Sequence, residues 1–292
     1  MPNGEVVGQA LPVTKSPSRH VIRGLFAMFA GAETTYEANQ NFNALTTFLH
    51  STRYQVLNEK MSELSKEITN RPVKVMDIGC GPGTAVGTLV DGFNVDYVGI
   101  DYDQTFIAAA QKKYGHKENC NFVLADAADR NLYQPGSADI VIALESFEHI
   151  PANRVVDIVE HICTIVKPRV FLVTVPVEVG PVLWIKNWGS TLMGYDRQSG
   201  NLRETFWAGL YQLDKVPPHT VSHQGFDWRW LAQTMRVNSP LTETRSMPFS
   251  FLPKWCAPNV ALVSQPIKAK VGAASTWLRE NCSLIFMPLL GL

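Results

Sequence analysis

The sequence predicts an α/β fold: a doubly wound, mostly parallel sheet of seven strands with helices on both faces. Three observations predict it. Five continuous apolar runs between residues 73 and 176 alternate with segments of helical periodicity, the pattern of strands buried on both faces of a parallel sheet. The first run, VKVMDIG, passes directly into CGPGT, so glycines stand at 79, 81 and 83 where a strand gives way to a helix. Two later runs, LTETRSMPF and NVALVSQPI, are joined by a proline-containing loop and fit an antiparallel pair at the sheet edge.

The elements follow in order. Residues 1–18 carry proline and glycine without periodicity and read as a loose leader. RHVIRGLFAMFAGA, residues 19–32, superficially resembles a targeting signal, but its apolar run starts late and Arg23 breaks it. Val21, Ile22, Leu25, Phe26 and Phe29 recur at helical spacing, which favours an amphipathic helix. Residues 33–68 read as helical, with Phe42, Leu45, Phe48 and Leu49 on one face, and Pro72 closes the region. The strands VKVMDIG, DYVGID, NFVLADA, ADIVIALES and RVFLVTVP come next. Helices are expected from about Thr84, through FIAAAQKKY, and around ANRVVDIVEHICTIV. After Pro176 the alternation stops. Residues 177–224 are rich in Trp, Gly and Pro, with helices expected near VLWIKNWGSTLM and LRETFWAGLYQL, then another at DWRWLAQTM. The expected organisation is a leader and helical cap over 1–71, one domain over 72–265 with an insertion at about 177–224, and a tail over 266–292.

Composition excludes several classes. Of 292 residues, 46% are hydrophobic and 18% charged, enough apolar material for a sizeable core. Lys plus Arg equals Asp plus Glu at 26 each, so no global field draws the chain to nucleic acid, and no nucleic-acid partner is expected. The five cysteines are scattered and lack CxxC spacing, which argues against a disulfide framework or zinc site and for a reducing, cytoplasmic setting. No run reaches the ~18 apolar residues of a membrane span. Peripheral membrane contact through residues 19–32 or the greasy tail SLIFMPLLGL is the expectation that composition leaves open.

Glycine after a buried strand lets the backbone turn tightly and approach a ligand without a Cβ in the way. Dinucleotide enzymes use GxGxxG against a pyrophosphate. Here the spacing is GxGxG and Asp77 precedes it. A carboxylate at that point repels a pyrophosphate and suits an ammonium group, which favours a zwitterionic ligand. The second strand ends in Asp101, about twenty residues on, where a carboxylate can accept both hydroxyls of a ribose or simply cap a helix. The third ends in Asp126-Ala127, where an adenine amino group or a helix N-terminus could be held.

Together VMDIGCGPGT, VGIDYD, LADAAD, DIVIALESFEHIP and VFLVTVP resemble the class I S-adenosylmethionine-dependent methyltransferases, a Rossmann-like family, over about residues 73–176 and more weakly to about 265. The resemblance implies S-adenosyl-L-methionine as cofactor. It implies that Asp77, Gly79 and Gly81, with the adjoining backbone of Cys80 and Gly83, hold its methionine part. Asp101 would hold the ribose, Tyr102 would lie against the adenine, Asp126 and Ala127 would bind the adenine edge, and the Leu144 carbonyl would face the cofactor amino group. Many relatives carry KPGG before the fifth strand, where this chain has Lys167-Pro168-Arg169, in a loop expected to lie away from the cofactor.

A methyl sulfonium is already activated, so the protein must align a nucleophile and exclude water. A hydroxyl acceptor also needs a base. ESFEHI supplies Glu145, Glu148 and His149, and PPHTVSHQGFDW supplies His219, His223 and Asp227. His149 is the first candidate base because neutral imidazole accepts a proton near pH 7. His223 is the second, and Glu148 could orient His149. The Val175-Pro176-Val177-Glu178 start and the later His219 to His223 pair are similar to O-methyltransferases of small molecules, glycans and lipids, the expected acceptor classes. Trp184, Trp188, Tyr195, Phe206, Trp207 and Tyr211 would line an acceptor lid or pack as core, and Tyr36 could close over the cofactor or pack likewise. A second reading takes Glu145, Glu148, His149 and His223 as a divalent-metal site resembling that of ribose 2′-hydroxyl methyltransferases of small RNAs. The favoured reading is metal-free. A third reading is a cofactor-binding partner protein without catalysis.

Overall fold

The structure is a computed structural model that describes residues 44–192, 201–217 and 225–266. The readings made for residues 19–32, the tail from 267, Tyr36, Tyr195, His219 and His223 fall outside them.

Within that range the apolar runs form β1 (Val73–Ile78), β2 (Val95–Asp101), β3 (Cys120–Leu124), β4 (Ile140–Leu144) and β5 (Val170–Pro176), and the two later runs form β6 (Leu241–Met247) and β7 (Asn259–Ser264). They make one seven-stranded sheet in the order β3-β2-β1-β4-β5-β7-β6. The first five strands pair in parallel, and β7 runs antiparallel to both β5 and β6. This is the Rossmann-like, mostly parallel arrangement expected from the alternation of runs. Strand order reverses between β1 and β4, and in open α/β sheets ligands bind outside the carboxyl ends at such a point.

The continuous apolar runs have their physical reason in the two faces. Every residue of β4 and β5 is buried. Along β5, Phe171, Val173 and Val175 join one core while Val170 and Leu172 join the other, as a period of two requires. One core is completed by α1 (Ala44–Glu67), α2 (Val86–Gly92) and α3 (Gln104–Tyr114), through residues such as Leu57, Met61, Leu89 and Ile107. The opposite core is completed by α4 (Ala152–His161) and α7 (Trp228–Asn238), through Val155, Val159, Leu231 and Met235. Between β5 and α7 lie α5 (Val182–Leu192) and α6 (Leu202–Gly209), both in the insertion. They share a smaller core of Val179, Leu183 and Ala208. From Phe48 onward the described residues belong to one compact unit.

Edges and caps follow local chemistry. The edge strand β6 carries Glu243 and Arg245, whose 2.6 Å pair places charge where a further strand would add. Asp103 caps α3, accepting from Thr105 N at 2.7 Å, and so takes the capping role left open for its neighbour Asp101.

Candidate active site

Strand β1 delivers the chain into a turn whose backbone only glycine adopts readily. Gly79, Gly81 and Gly83 have φ of 71°, 54° and 80°. The Gly79 and Cys80 amides both donate to the Ile100 carbonyl, at 2.8 and 3.1 Å, and Gly81 N donates to Asp101 Oδ2 at 2.8 Å. The turn is therefore pinned to the end of β2. A Cβ on Gly79 would sit 2.5 Å from the Ser146 Cβ, because the turn packs against the exit of β4. A Cβ on Gly81 would meet nothing within 4 Å. The turn is thus closed on one side and open on the other, and the open side is where a ligand can lie against backbone.

Cys80 is buried, and a Cβ on Gly99 would meet its sulfur at 2.8 Å. Burial pushes its thiol well up. Its side chain therefore serves the core, and any ligand contact at this position runs through the backbone. Gly99 leaves room for that sulfur.

Asp77 is buried, and the Tyr97 hydroxyl donates to its Oδ2 at 2.7 Å. Burial pushes its carboxyl up to about 7, against the opposing effect of the Tyr97 hydrogen bond. A carboxyl raised in the folded state contributes stability that is complete below its unfolded value and is lost as pH rises through the folded one. The ligand-free chain is therefore expected to melt at a lower temperature at pH 8 than at pH 5. Asp77→Asn, which still accepts from Tyr97, is expected to flatten part of that slope, by ~1–4 kcal/mol at pH 8. Thermal melts across pH check this, and an unchanged slope in the variant would exclude Asp77 as its source.

Asp101 is also buried. Its Oδ1 accepts from Asp103 N at 2.9 Å while Oδ2 holds Gly81 N. Burial raises its pKa. Each oxygen keeps a second lone pair for a ligand hydroxyl. Tyr102 follows with its ring largely exposed, at 76%, so its face is available for stacking. Asp126 pairs with Arg154 and accepts from Ala128 N at 3.0 Å. The Ala127 carbonyl accepts from the Tyr133 hydroxyl at 2.5 Å. These contacts order the β3 exit without lining it with unpaired charge.

The β4 exit holds the second group of candidates. Leu144 is buried, and Glu145 takes a φ of 53°, turning the chain away from the sheet. Glu145 Oε2 accepts from Arg53 Nη1 and Oε1 from Asn259 Nδ2, both at 2.6 Å. This carboxylate ties together α1, the β4 exit and β7. The antiparallel register sets Asn259 opposite Pro176, which brings it beside Glu145. Arg53 is 1% exposed. Neither partner was legible in the sequence, because each lies more than 90 residues from Glu145 and shares no motif with it.

Glu148 is fully buried, and neither of its oxygens makes a hydrogen bond among the described residues. Burial, reinforced by Glu145, holds its pKa well above the ordinary carboxylate range. The imidazole of His149 stands beside it, Nε2 at 4.0 Å from Glu148 Oε1, with 45% of its side chain exposed. Asp227, offered with the later histidines, caps α7 instead and pairs with Arg229 at 2.7 Å. Glu178 pairs with Lys186 at 2.6 Å, and Lys186 also donates to the carbonyls of Val177 and Pro258, fastening α5 to the β5 exit. Among the described residues no three His, Cys, Asp or Glu side chains are placed to hold a metal ion.

Of the insertion aromatics, Trp184 stacks on Phe206 and donates to the Thr205 carbonyl, Lys215 lies over the Trp207 ring, and Arg229 lies over Tyr211. Those contacts are packing. Trp188 stands 71% exposed.

Residues 75–169 match the model of a family described as a methyltransferase domain. A protein of Mycobacterium tuberculosis named as a methyltransferase is 32% identical over 79 residues, 26% of this chain and 48% of its own. The chain thus spans about half the length of that curated relative. The crystal structure of the methyltransferase domain of a bacterial Hen1 aligns over 74% of this chain and 99% of its own, with a TM-score of 0.51 and 13% identity. The CurJ carbon methyltransferase aligns over 80% and 58%, with a TM-score of 0.54 and 14% identity. These two likenesses establish the fold.

Proposed function

We propose, on the premise that residues 75–169 place this chain among the class I S-adenosylmethionine-dependent methyltransferases with S-adenosyl-L-methionine as cofactor, that it methylates a hydroxyl of a small-molecule, glycan or lipid-linked acceptor. The observation that carries this reading is the pairing of the open side of Gly81, braced by Asp101, with a half-exposed imidazole at the exit of the adjacent strand.

The residues present fit the cofactor. Asp101 accepts the ribose hydroxyls with its remaining lone pairs, and Tyr102 offers a ring face to the adenine. Asp126 and the backbone at Ala127 would read the adenine edge. Asp77 and the backbone of residues 79–83 would hold the amino-acid part, and the Leu144 carbonyl would accept from its ammonium. When bound, the cofactor supplies a methyl group on a positively charged sulfur. His149 Nε2 takes the acceptor's hydroxyl proton as the new carbon–oxygen bond forms. Glu148, buried beside it, limits the positions the ring can take. His223 is the other candidate base. The metal-assisted reading gains nothing from Glu145, whose two oxygens are already taken by Arg53 and Asn259.

His149→Asn is expected to lower kcat by about 10²–10⁴-fold while leaving the cofactor's dissociation constant unchanged. S-adenosylhomocysteine release across a panel of hydroxyl acceptors measures the first and calorimetry the second. His223→Asn in the same assay distinguishes the two imidazoles. Full activity in both variants would remove the proton-acceptor role from this reading, and a product methylated on nitrogen, carbon or sulfur would overturn the acceptor class.

A further inference from the structure

Apart from Pro258, whose carbonyl accepts from Lys186, the loop joining β6 to β7 has no part in the site described above. It reads PFSFLPKWCAP over residues 248–258. Single exposed apolar side chains are ordinary, but a contiguous exposed group of large ones marks an interaction site. Here Phe251 is 80% exposed, Trp255 53% and Phe249 47%. The rings of Phe249 and Phe251 stack, with centroids 5.5 Å apart and an interplanar angle of 22°. Leu252 N donates to the Phe249 carbonyl at 3.1 Å and Cys256 N to the Pro253 carbonyl at 3.0 Å, so hydrogen-bonded turns hold the aromatics out. Lys254 lies between Phe251 and Trp255, and no Asp or Glu occurs from residue 246 to 258.

The loop also has a defined position. β6 runs parallel to β5, since both pair antiparallel with β7. The loop therefore leaves the sheet at the same edge as the glycine turn and the β4 exit. The Lys186 hydrogen bond to the Pro258 carbonyl joins its far end to α5, whose Ile185 and Trp188 are exposed as well.

We infer that the β6–β7 loop docks the carboxyl edge of the sheet onto an anionic lipid surface, with Phe251 and Trp255 entering the headgroup boundary and Lys254 meeting the lipid charge. Protruding rings of Phe and Trp with a neighbouring lysine and no carboxylate have the chemistry of an interfacial anchor, apolar toward the acyl chains and cationic toward the headgroups. A single loop and one lysine give reversible attachment, strengthened by acidic lipid and weakened by salt. Among the described residues no helix is long and apolar enough to cross a membrane, so this contact is peripheral. The inference does not depend on which atom the chain methylates, or on whether it does so.

The test is flotation of the full chain with vesicles of phosphatidylcholine alone and of phosphatidylcholine with 30% phosphatidylserine, at about 0.05 M and 0.5 M salt. Wild-type chain is expected to float with the anionic vesicles at low salt. A Phe251→Ser, Trp255→Ser double variant is expected to bind at least about tenfold more weakly. Lys254→Glu is expected to lose the preference for anionic over neutral vesicles. Both variants should keep the wild-type melting temperature, since none of the three side chains is in the core. Wild-type chain that stays with the solution, or a double variant that floats as well as wild type, would overturn the inference. So would a loop that mediates self-association, seen as wild-type dimers in sedimentation that the double variant loses while vesicle binding is unchanged.

Discussion

Asp101→Ala is expected to lower the affinity for S-adenosyl-L-methionine by about 100-fold or more, as read by calorimetry. Two costs add. The ribose loses a charged acceptor, and hydrogen bonds to charged groups contribute ~1.5–3 kcal/mol each. The turn also loses its brace, because Asp101 holds the amides of Gly81 and Asp103 at 2.8 and 2.9 Å. Asp101→Asn keeps one acceptor oxygen and is expected to fall between wild type and alanine. A complementary lesion attacks the other side of the turn. Gly79→Arg puts a Cβ 2.5 Å from the Ser146 Cβ at a φ of 71°, so it is expected to lose cofactor binding together with several degrees of melting temperature. Wild-type affinity in both variants would place the cofactor elsewhere.

The second large effect lies at Arg53. Its guanidinium is buried and donates to Glu145 at 2.6 Å, and its charge also favours the ionised forms of Asp77 and Glu148. Removing one partner of a buried ion pair leaves the other charge uncompensated, at a cost of ~3–5 kcal/mol. Arg53→Leu is therefore expected to lower the melting temperature by about 5–10 °C in a chain of this size. Combining it with Glu145→Gln should return part of the loss, because the stranded charge is then gone. A single variant that melts within about 1 °C of wild type would show that the pair is dispensable. Purely additive losses in the double variant would show that the two residues act independently.

Both predictions concern residues whose legibility differed. Asp101 could be found in the sequence because its position is set by a short-range rule: an acidic residue at the end of the second strand, about twenty residues past the glycine turn. The strands themselves were legible for a similar reason. β4 and β5 are buried on both faces, so their sequences are apolar throughout and stand out from the amphipathic helices beside them. Arg53 and Asn259 could not be found that way. Their roles arise from approaches over 92 and 114 residues of chain, and no local pattern records such a separation. The capping choice between Asp101 and Asp103 shows the same limit at short range, since either carboxylate suits a helix start and the backbone direction after β2 decides it.

The local sequence by itself determined the periodicities, the alternation of strand and helix, the three left-handed glycines and the acidic ends of the first three strands. Those properties are written within windows of ten or twenty residues, where side-chain burial and backbone sterics act directly. Tertiary structure alone decided that Glu145 is consumed by an ion pair and an amide, that Glu148 is sealed from water beside His149 with its pKa pushed up by burial, that Cys80 faces the core over Gly99, and that the aromatics of the β6–β7 loop stand outside it. The reason is physical: charge state and exposure depend on which distant groups fold over a side chain, and desolvation is a property of the assembled surroundings.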